Sequence, residues 1–187
     1  MKYPQARLLV LSKAPEPGRV KTRLGSQLGM EAAALLYEKL VHECLATCVS
    51  ADLCPIDICC DPSPQHPFFQ HCSSHYHTGL QQQQGSDLGQ RMSAAVQHAL
   101  EQAQCVVLIG ADCPWLTAGD LDAAIVALQQ GSDVVLGPAE DGGYYLIGMR
   151  QHHPELFYDI PWGTDRVLAI TETRLHRQGL TIHRLAR

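Results

Sequence analysis

Along the chain, short apolar runs alternate with longer stretches in which apolar residues recur at helical spacing. Residues 8–11 form a first apolar run and predict a strand. Residues 31 to about 50, rich in Ala and Leu, predict a helix. The segment 55–60 (PIDICC) alternates as a strand does and ends at the Asp61-Pro62 turn. A Pro- and His-rich loop with a short helix follows, then a polar strand over 78–83. The clearest helix is 88–103, with Met92, Ala95, Val96, Ala99 and Leu100 at helical spacing. Residues 105–110 (CVVLIG) are continuously apolar, as expected of a parallel strand buried on both faces. Thr117 can cap a helix over 118–130, with Asp120 as the acid of a capping box. Residues 133–137 and 144–149 read as strands around the turn AEDGG. A helix over about 164–178 ends at Gly179, and LTIHRLA closes as a last strand.

This alternation, without repeat or linker, predicts one α/β domain over 1–187: a three-layer α/β/α sandwich around a mostly parallel sheet. In such sheets ligands collect beyond the carboxyl ends of the strands. The loops after residues 11, 110 and 137 are therefore where chemistry is expected.

Composition narrows the partners. The chain has 187 residues, 45% hydrophobic and 18% charged, with formal net charge -5. That balance argues against general nucleic-acid binding, so an anion site has to be local. No run approaches the roughly 20 apolar residues of a membrane helix, and 1–13 does not read as a signal peptide. The expectation is a cytoplasmic protein whose eight cysteines are reduced and serve as small buried hydrophobes. His66, His71, Cys72, His75 and His77 crowd together, but their spacing matches no zinc knuckle, and a solvated loop is the preferred reading.

The local anion site is offered by the loop after the first strand. Pro15 and Pro17 hold it extended, Gly18 frees backbone amides, and Lys13, Arg19, Lys21 and Arg23 supply charge-assisted donors that suit a diphosphate. It has neither Walker A nor GxGxxG spacing, and a solvated basic loop is the alternative.

Asp112, at the carboxyl end of CVVLIG, is costly unless paired. A Mg²⁺ or Mn²⁺ ion bridging to phosphate would explain it; a helix cap or an arginine partner would also do so. After Pro114, residues Trp115-Leu116 are expected to fold back onto the core. In GPAEDGGYYLIG, Asp141-Gly142-Gly143 is either a plain hairpin turn or, with Glu140, the border of a second substrate. Tyr144 and Tyr145 are read as one inward and one outward ring. In QQQQGSDLGQRM, amides could meet a nucleobase and Arg91 a phosphate, unless this is simply a capped surface helix.

Together KAPEPGRVKTRL, GSDLGQRM, IGADCPWL, GPAEDGGYYLIG and PWGTDRVLAIT resemble a bacterial family of small GT-A-like nucleotide-diphospho-sugar transferases. Many members are known only as a domain of unknown function, and some are labelled arsenosugar-biosynthesis glycosyltransferases. More distantly the chain is similar to molybdopterin-guanine nucleotide and phospholactate guanylyltransferases. The resemblance covers nearly the whole chain with its motifs in order. It implies the GT-A-like nucleotide-diphospho-sugar transferase fold, with Lys13, Arg19, Lys21 and Arg23 on phosphates and Asp112 at the metal position. It also implies Gln84, Asp87 and Gly89 along the base or ribose, Gly142 and Gly143 at the sugar or acceptor, and Trp162 and Thr164 at the acceptor entrance. The chain departs from many GT-A enzymes in having one Asp112 rather than an Asp-x-Asp pair.

The expectation is a metal-dependent glycosyltransferase-like enzyme taking a nucleotide sugar and a small-molecule acceptor, with Asp141 as base and Glu140 in reserve. The alternatives are a nucleotidyltransferase joining an NTP to a small phosphorylated acceptor, and a non-catalytic nucleotide-binding module.

Overall fold

The computed structural model describes residues 1–186. Seven strands form one sheet in the order β3-β2-β1-β4-β6-β5-β7. They are β1 (Ala6–Lys13), β2 (Ile56–Asp61), β3 (Gly79–Gln82), β4 (Cys105–Gly110), β5 (Val134–Pro138), β6 (Tyr144–Met149) and β7 (Ile182–Arg184). All pairings are parallel except those of β6, which runs antiparallel to both β4 and β5. The mostly parallel α/β architecture read from the sequence is the one observed.

The apolar run of β4 is explained by the two layers around it. Val107 and Ile109 face one core with Leu8 and Val10, beneath helices α2 (Met30–Ser50), α3 (Pro67–Tyr76) and α5 (Ala118–Gln129). Val106 and Leu108 face the other with Leu9, beneath α4 (Leu88–Leu100) and α6 (Val167–Arg177). Burial of each such side chain contributes about 1.5–3 kcal/mol, so the centre of the sheet is the strongest organiser of the fold.

Side-chain caps start three helices. Thr117 and Asp120 form the reciprocal capping box of α5, Asp87 accepts from the Gln90 amide at the start of α4, and the His66 ring accepts from the Phe68 amide at the start of α3. The Pro- and His-rich segment is thus a ten-residue helix, more ordered than expected, because Phe69 and Cys72 are fully buried. Helix α1 (Thr22–Leu28) is absent from the sequence reading. It is one short element with a glycine inside, too brief for an apolar period to register. Conversely α6 begins at Val167, not 164, because the Thr164 hydroxyl bonds back to the Pro161 carbonyl in a turn.

A β-bulge shapes the β5–β6 hairpin. Gly137 pairs with Leu146 and Pro138 with Tyr144, leaving Tyr145 as the extra residue. A bulge re-aims side chains: Tyr145 packs with the α2/α5 core and Tyr144 with the α4/α6 core. Both rings are half-buried on opposite faces, rather than one inward and one outward. The Tyr145 ring lies so close that a Cβ on Gly137 would sit 2.7 Å from its Cζ.

Gly89, in the first turn of α4, offers a test of packing against propensity. Alanine there gains about 1 kcal/mol of helix propensity, yet its Cβ would stand 2.2 Å from the Phe157 carbonyl oxygen and 2.7 Å from Trp162 Nε1. Overpacking dominates, so G89A is expected to lose about 1–3 kcal/mol in urea unfolding. Equal or greater stability would show that the loop bearing Trp162 yields freely.

Candidate active site

Strands β1 and β4 end side by side, with Leu11 in register with Gly110 and the Ala111 amide donating to the Leu11 carbonyl at 3.0 Å. Their following loops must therefore leave the same edge. Between them opens a cavity of about 590 Å³, where an open α/β sheet collects ligand.

The basic loop is fixed at three points. Gly18 turns with φ 79°, Val20 is buried in the core, and Lys21 adopts the left-handed conformation (φ 45°, ψ 38°) at the N-terminus of α1. That conformation costs a non-glycine residue roughly 1–2 kcal/mol. It ends the loop so that the Lys21 side chain meets Asp112, with Nζ to Oδ2 at 2.7 Å. The carboxylate and the ammonium are 43% and 30% exposed, so the pair is solvated on the cavity side and contributes at most about 1 kcal/mol. Lys21 occupies Asp112 Oδ2. Asp112 is neither a helix cap nor an arginine partner; its partner is the loop lysine.

The other loop cations divide. Lys13 and Arg23 line the cavity and make no ion pair among the described residues. Arg19 also lines it, but its guanidinium is engaged by Glu16 at 2.9 Å. Beneath the loop, the Tyr37 hydroxyl accepts from the Lys13 amide at 3.0 Å and lies 3.4 Å from Ser12 Oγ. Burial pushes the Tyr37 phenol pKa up against the effect of these contacts, so it stays neutral and serves as a support.

The opposite wall is apolar, formed by Leu11, Leu88, Met92, Leu108 and Tyr144. The Tyr144 hydroxyl is buried, and desolvation outweighs the nearby Thr171 hydroxyl and holds its proton on. The Trp162 ring meets Tyr144 edge-on at 6.2 Å.

Several sequence-predicted residues stand away from the cavity wall. Asp87 caps α4, and Gly89 is a packing glycine. Arg91 is bound to Asp61 Oδ2 at 2.8 Å and to the Gly85 carbonyl. Gln84 lines a separate groove with Ala94 and His98. Its neighbour Gln83 is the cavity residue, with Nε2 donating to the Cys59 and Ser12 carbonyls at 2.8 and 3.1 Å. The sequence reading passed over it; both glutamines lie just past the end of β3, where no strand period marks which one turns inward.

Asp141 accepts from the Gly143 amide at 3.0 Å in the exposed β5–β6 turn, and Glu140 is exposed beside it. Gly142 has φ 84°, and a Cβ on it would lie 2.2 Å from the Asp165 carbonyl; its own carbonyl accepts from the Leu168 amide in the first turn of α6. The turn and the Trp162–Thr164 segment are thereby docked together. Trp115 is 77% exposed while Leu116 is buried, because only one of two adjacent residues in that turn can face the core. In the His/Cys segment, His66 caps α3, Cys72 is buried, and the His71 and His75 rings stack at 6.0 Å. Among the described residues no group of three or more His, Cys, Asp or Glu is placed to hold a metal, and no helix is long and apolar enough to cross a membrane.

The donor chemistry at Asp112 is compatible with a hard divalent cation. The Asp112 side chain is 43% exposed and already holds a positively charged group in the form of the Lys21 ammonium, and phosphate oxygens would have to complete the shell.

Comparison with known proteins agrees with the sequence resemblance. A protein from Desulfovibrio desulfuricans G20, provisionally named a nucleotide-diphospho-sugar transferase, is 35% identical with a TM-score of 0.87, covering 97% of this chain and 80% of its own. A CMP:2-keto-3-deoxy-manno-octonic acid synthetase complexed with CTP shares the fold at 10% identity and TM-score 0.57, covering 97% and 89%. The manganese complex of Rv0371c from Mycobacterium tuberculosis H37Rv does so at 14% and 0.56, covering 98% and 88%. No curated protein matches. The family profile described as uncharacterized protein conserved in bacteria (DUF2064) matches residues 44–164, and with that span and the 35% identical relative the chain belongs to this family.

Proposed function

We propose that this protein is a transferase that binds a nucleotide-diphospho-sugar donor in the cavity beyond β1 and β4 and passes the sugar to a small-molecule acceptor. The observation that carries this reading is the Lys21–Asp112 pair at 2.7 Å, in a cavity also lined by the unpaired Lys13 and Arg23. It is a local cationic site with one carboxylate, in a chain of net charge -5.

In this reading Lys13, Lys21 and Arg23 hold the diphosphate by charge-assisted hydrogen bonds, while Gly18 shapes the loop from outside the cavity wall, its neighbouring Arg19 amide being bonded to the Glu16 carbonyl. Asp112 would hold a Mg²⁺ or Mn²⁺ ion together with phosphate oxygens. Such an ion supplies charge neutralisation on the leaving nucleotide. The apolar wall with Leu88 and Met92 gives an aromatic base a dry surface. The β5–β6 turn is docked to the Trp162–Thr164 segment outside the cavity lining and leads directly into Tyr144 of its wall, and in this reading it would receive the acceptor. There Asp141 takes the acceptor proton, with Glu140 as the nearby second carboxylate. The family relative with the nucleotide-diphospho-sugar transferase name supports the class.

Nucleotidyl transfer is the second reading. It is favoured by the CTP-bound fold relative and by two unpaired cations, which would suit a triphosphate. Products separate the two: sugar transfer releases a nucleoside diphosphate, nucleotidyl transfer releases pyrophosphate.

K21A and R23A are each expected to weaken nucleoside diphosphate binding by about tenfold or more, from the loss of roughly 1.5–3 kcal/mol per charge-assisted hydrogen bond, with circular dichroism unchanged. Wild-type affinity in both variants would mean that the loop is only surface.

For Asp112 the readout is thermal unfolding with nucleoside diphosphate, with and without Mn²⁺. A ligand at a hundredfold excess over Kd stabilises by about 2.7 kcal/mol, and wild type should gain more from both ligands together than from each alone. D112N keeps size and hydrogen bonding but loses the charge, so the Mn²⁺-dependent gain should vanish along with transfer activity. A retained Mn²⁺ gain would remove Asp112 from the site.

A further inference from the structure

We propose that Lys21 is the resident counter-ion of the Asp112 site and competes there with a divalent cation, so that nucleotide and metal bind in concert by displacing it. The inference rests on the functional reading above and concerns how the two ligands are coupled.

Three features of the chain carry it. First, Lys21 Nζ lies 2.7 Å from Asp112 Oδ2, the separation of a direct charge-assisted hydrogen bond. An ammonium and a divalent cation on this one carboxylate would stand within a few ångströms of each other with a single negative charge between them, so each disfavours the other. Second, Asp112 is the one carboxylate among the described residues that line the cavity, and no group of three His, Cys, Asp or Glu among them is placed to bind a metal. The protein thus offers a cation little to outbid Lys21 with, and the balance falls to whatever phosphate supplies. Third, Lys21 has a second destination. It sits at the junction of the basic loop and α1, it is 30% exposed, and it lines the same cavity as Lys13 and Arg23. A diphosphate held by those two cations draws the ammonium off Asp112.

The consequence is a thermodynamic cycle. Metal alone has to break the pair and leave Lys21 without its partner. Diphosphate alone breaks it while giving Lys21 a new partner, and so bares Asp112 for the cation. Each ligand then makes the other easier to bind by the same factor. Part of that factor comes from the chain's own lysine, over and above direct contact between metal and phosphate.

The test measures Mn²⁺ affinity by electron paramagnetic resonance of the free ion, without nucleotide and then with saturating nucleoside diphosphate. Wild type, K21M, K21Q and D112N are compared, each first verified as folded by thermal unfolding. Without nucleotide, K21M and K21Q should bind Mn²⁺ about tenfold more tightly than wild type, since the competing charged hydrogen bond is gone. Both should bind nucleoside diphosphate more weakly, and nucleotide should improve their Mn²⁺ affinity by a smaller factor than in wild type. D112N should bind Mn²⁺ poorly in every condition. If wild type shows nucleotide-dependent Mn²⁺ binding but K21M and K21Q bind the free ion no better than wild type, the competition is wrong while the functional reading stands. If none of the four binds Mn²⁺ even with nucleotide present, the cation's part in the function and this inference fall together.

Discussion

The pairing of β1 with β4 is the constraint on which the rest depends. Both strands lie mid-sheet, and their side chains enter the two cores alternately, Leu8, Val10, Val107 and Ile109 on one side and Leu9, Val106 and Leu108 on the other. A slip of one residue would exchange those sets between differently shaped layers, so the register is held by packing on both faces at once. Because the register is held, Leu11 and Gly110 end level, and the first residues beyond them are forced into one another's reach. The Lys21–Asp112 pair is downstream of this geometry. At roughly a third to two fifths exposure its own stabilisation is small, and it cannot organise the site that contains it.

Loop conformation then converts proximity into a cationic site. A chain with an excess of acids repels anions at long range, so binding one depends on charges brought within a few ångströms. Four cations lie close in the sequence, but the structure does not use them alike. Arg19 is neutralised by Glu16, Lys21 is committed to Asp112, and Lys13 and Arg23 remain available. The left-handed Lys21 backbone is the local strain that this arrangement carries, and buried Val20 holds the loop against relaxing it.

The central strands, the main helices and the cationic loop were legible in the sequence because each is written in a local signal: an unbroken apolar run, a 3.6-residue period, a cluster of like charge. What was not legible depends on distance or parity. Helix α1 is too short to show a period, and α3 hides behind histidines whose neighbours Phe69 and Cys72 turn out to be fully buried. Gln83 and Gln84 lie just beyond β3 and differ only in direction, Gln83 toward the Ser12 and Cys59 carbonyls and Gln84 into another groove. Arg91 reads as a phosphate ligand until its carboxylate partner, thirty positions earlier at Asp61, is in view. Tyr144 and Tyr145 could not be assigned faces because the bulge opposite Gly137 and Pro138 shifts the alternation midway through β6.

That bulge also explains how the antiparallel strand serves the site. In a regular ladder with Pro138 opposite Tyr145, Tyr144 would share the face of Leu146, in the α2/α5 core. With Tyr145 as the extra residue, Tyr144 crosses to the α4/α6 side, completes the apolar wall with Leu88 and Met92, and meets Trp162 edge-on. The same strand begins at the turn whose Gly142 carbonyl caps α6 and whose close approach to Asp165 leaves no room for a Cβ. One irregular hairpin thus ties the cavity wall, the Trp162 segment and the start of α6 into a single packed unit. A substitution that straightened the bulge would move all three together, although none of them touches the Lys21–Asp112 pair. In the proposed reading, the acceptor side and the phosphate side of the cavity are therefore built by separate physical means: a packed hairpin on one side, and a strained loop held by strand register on the other.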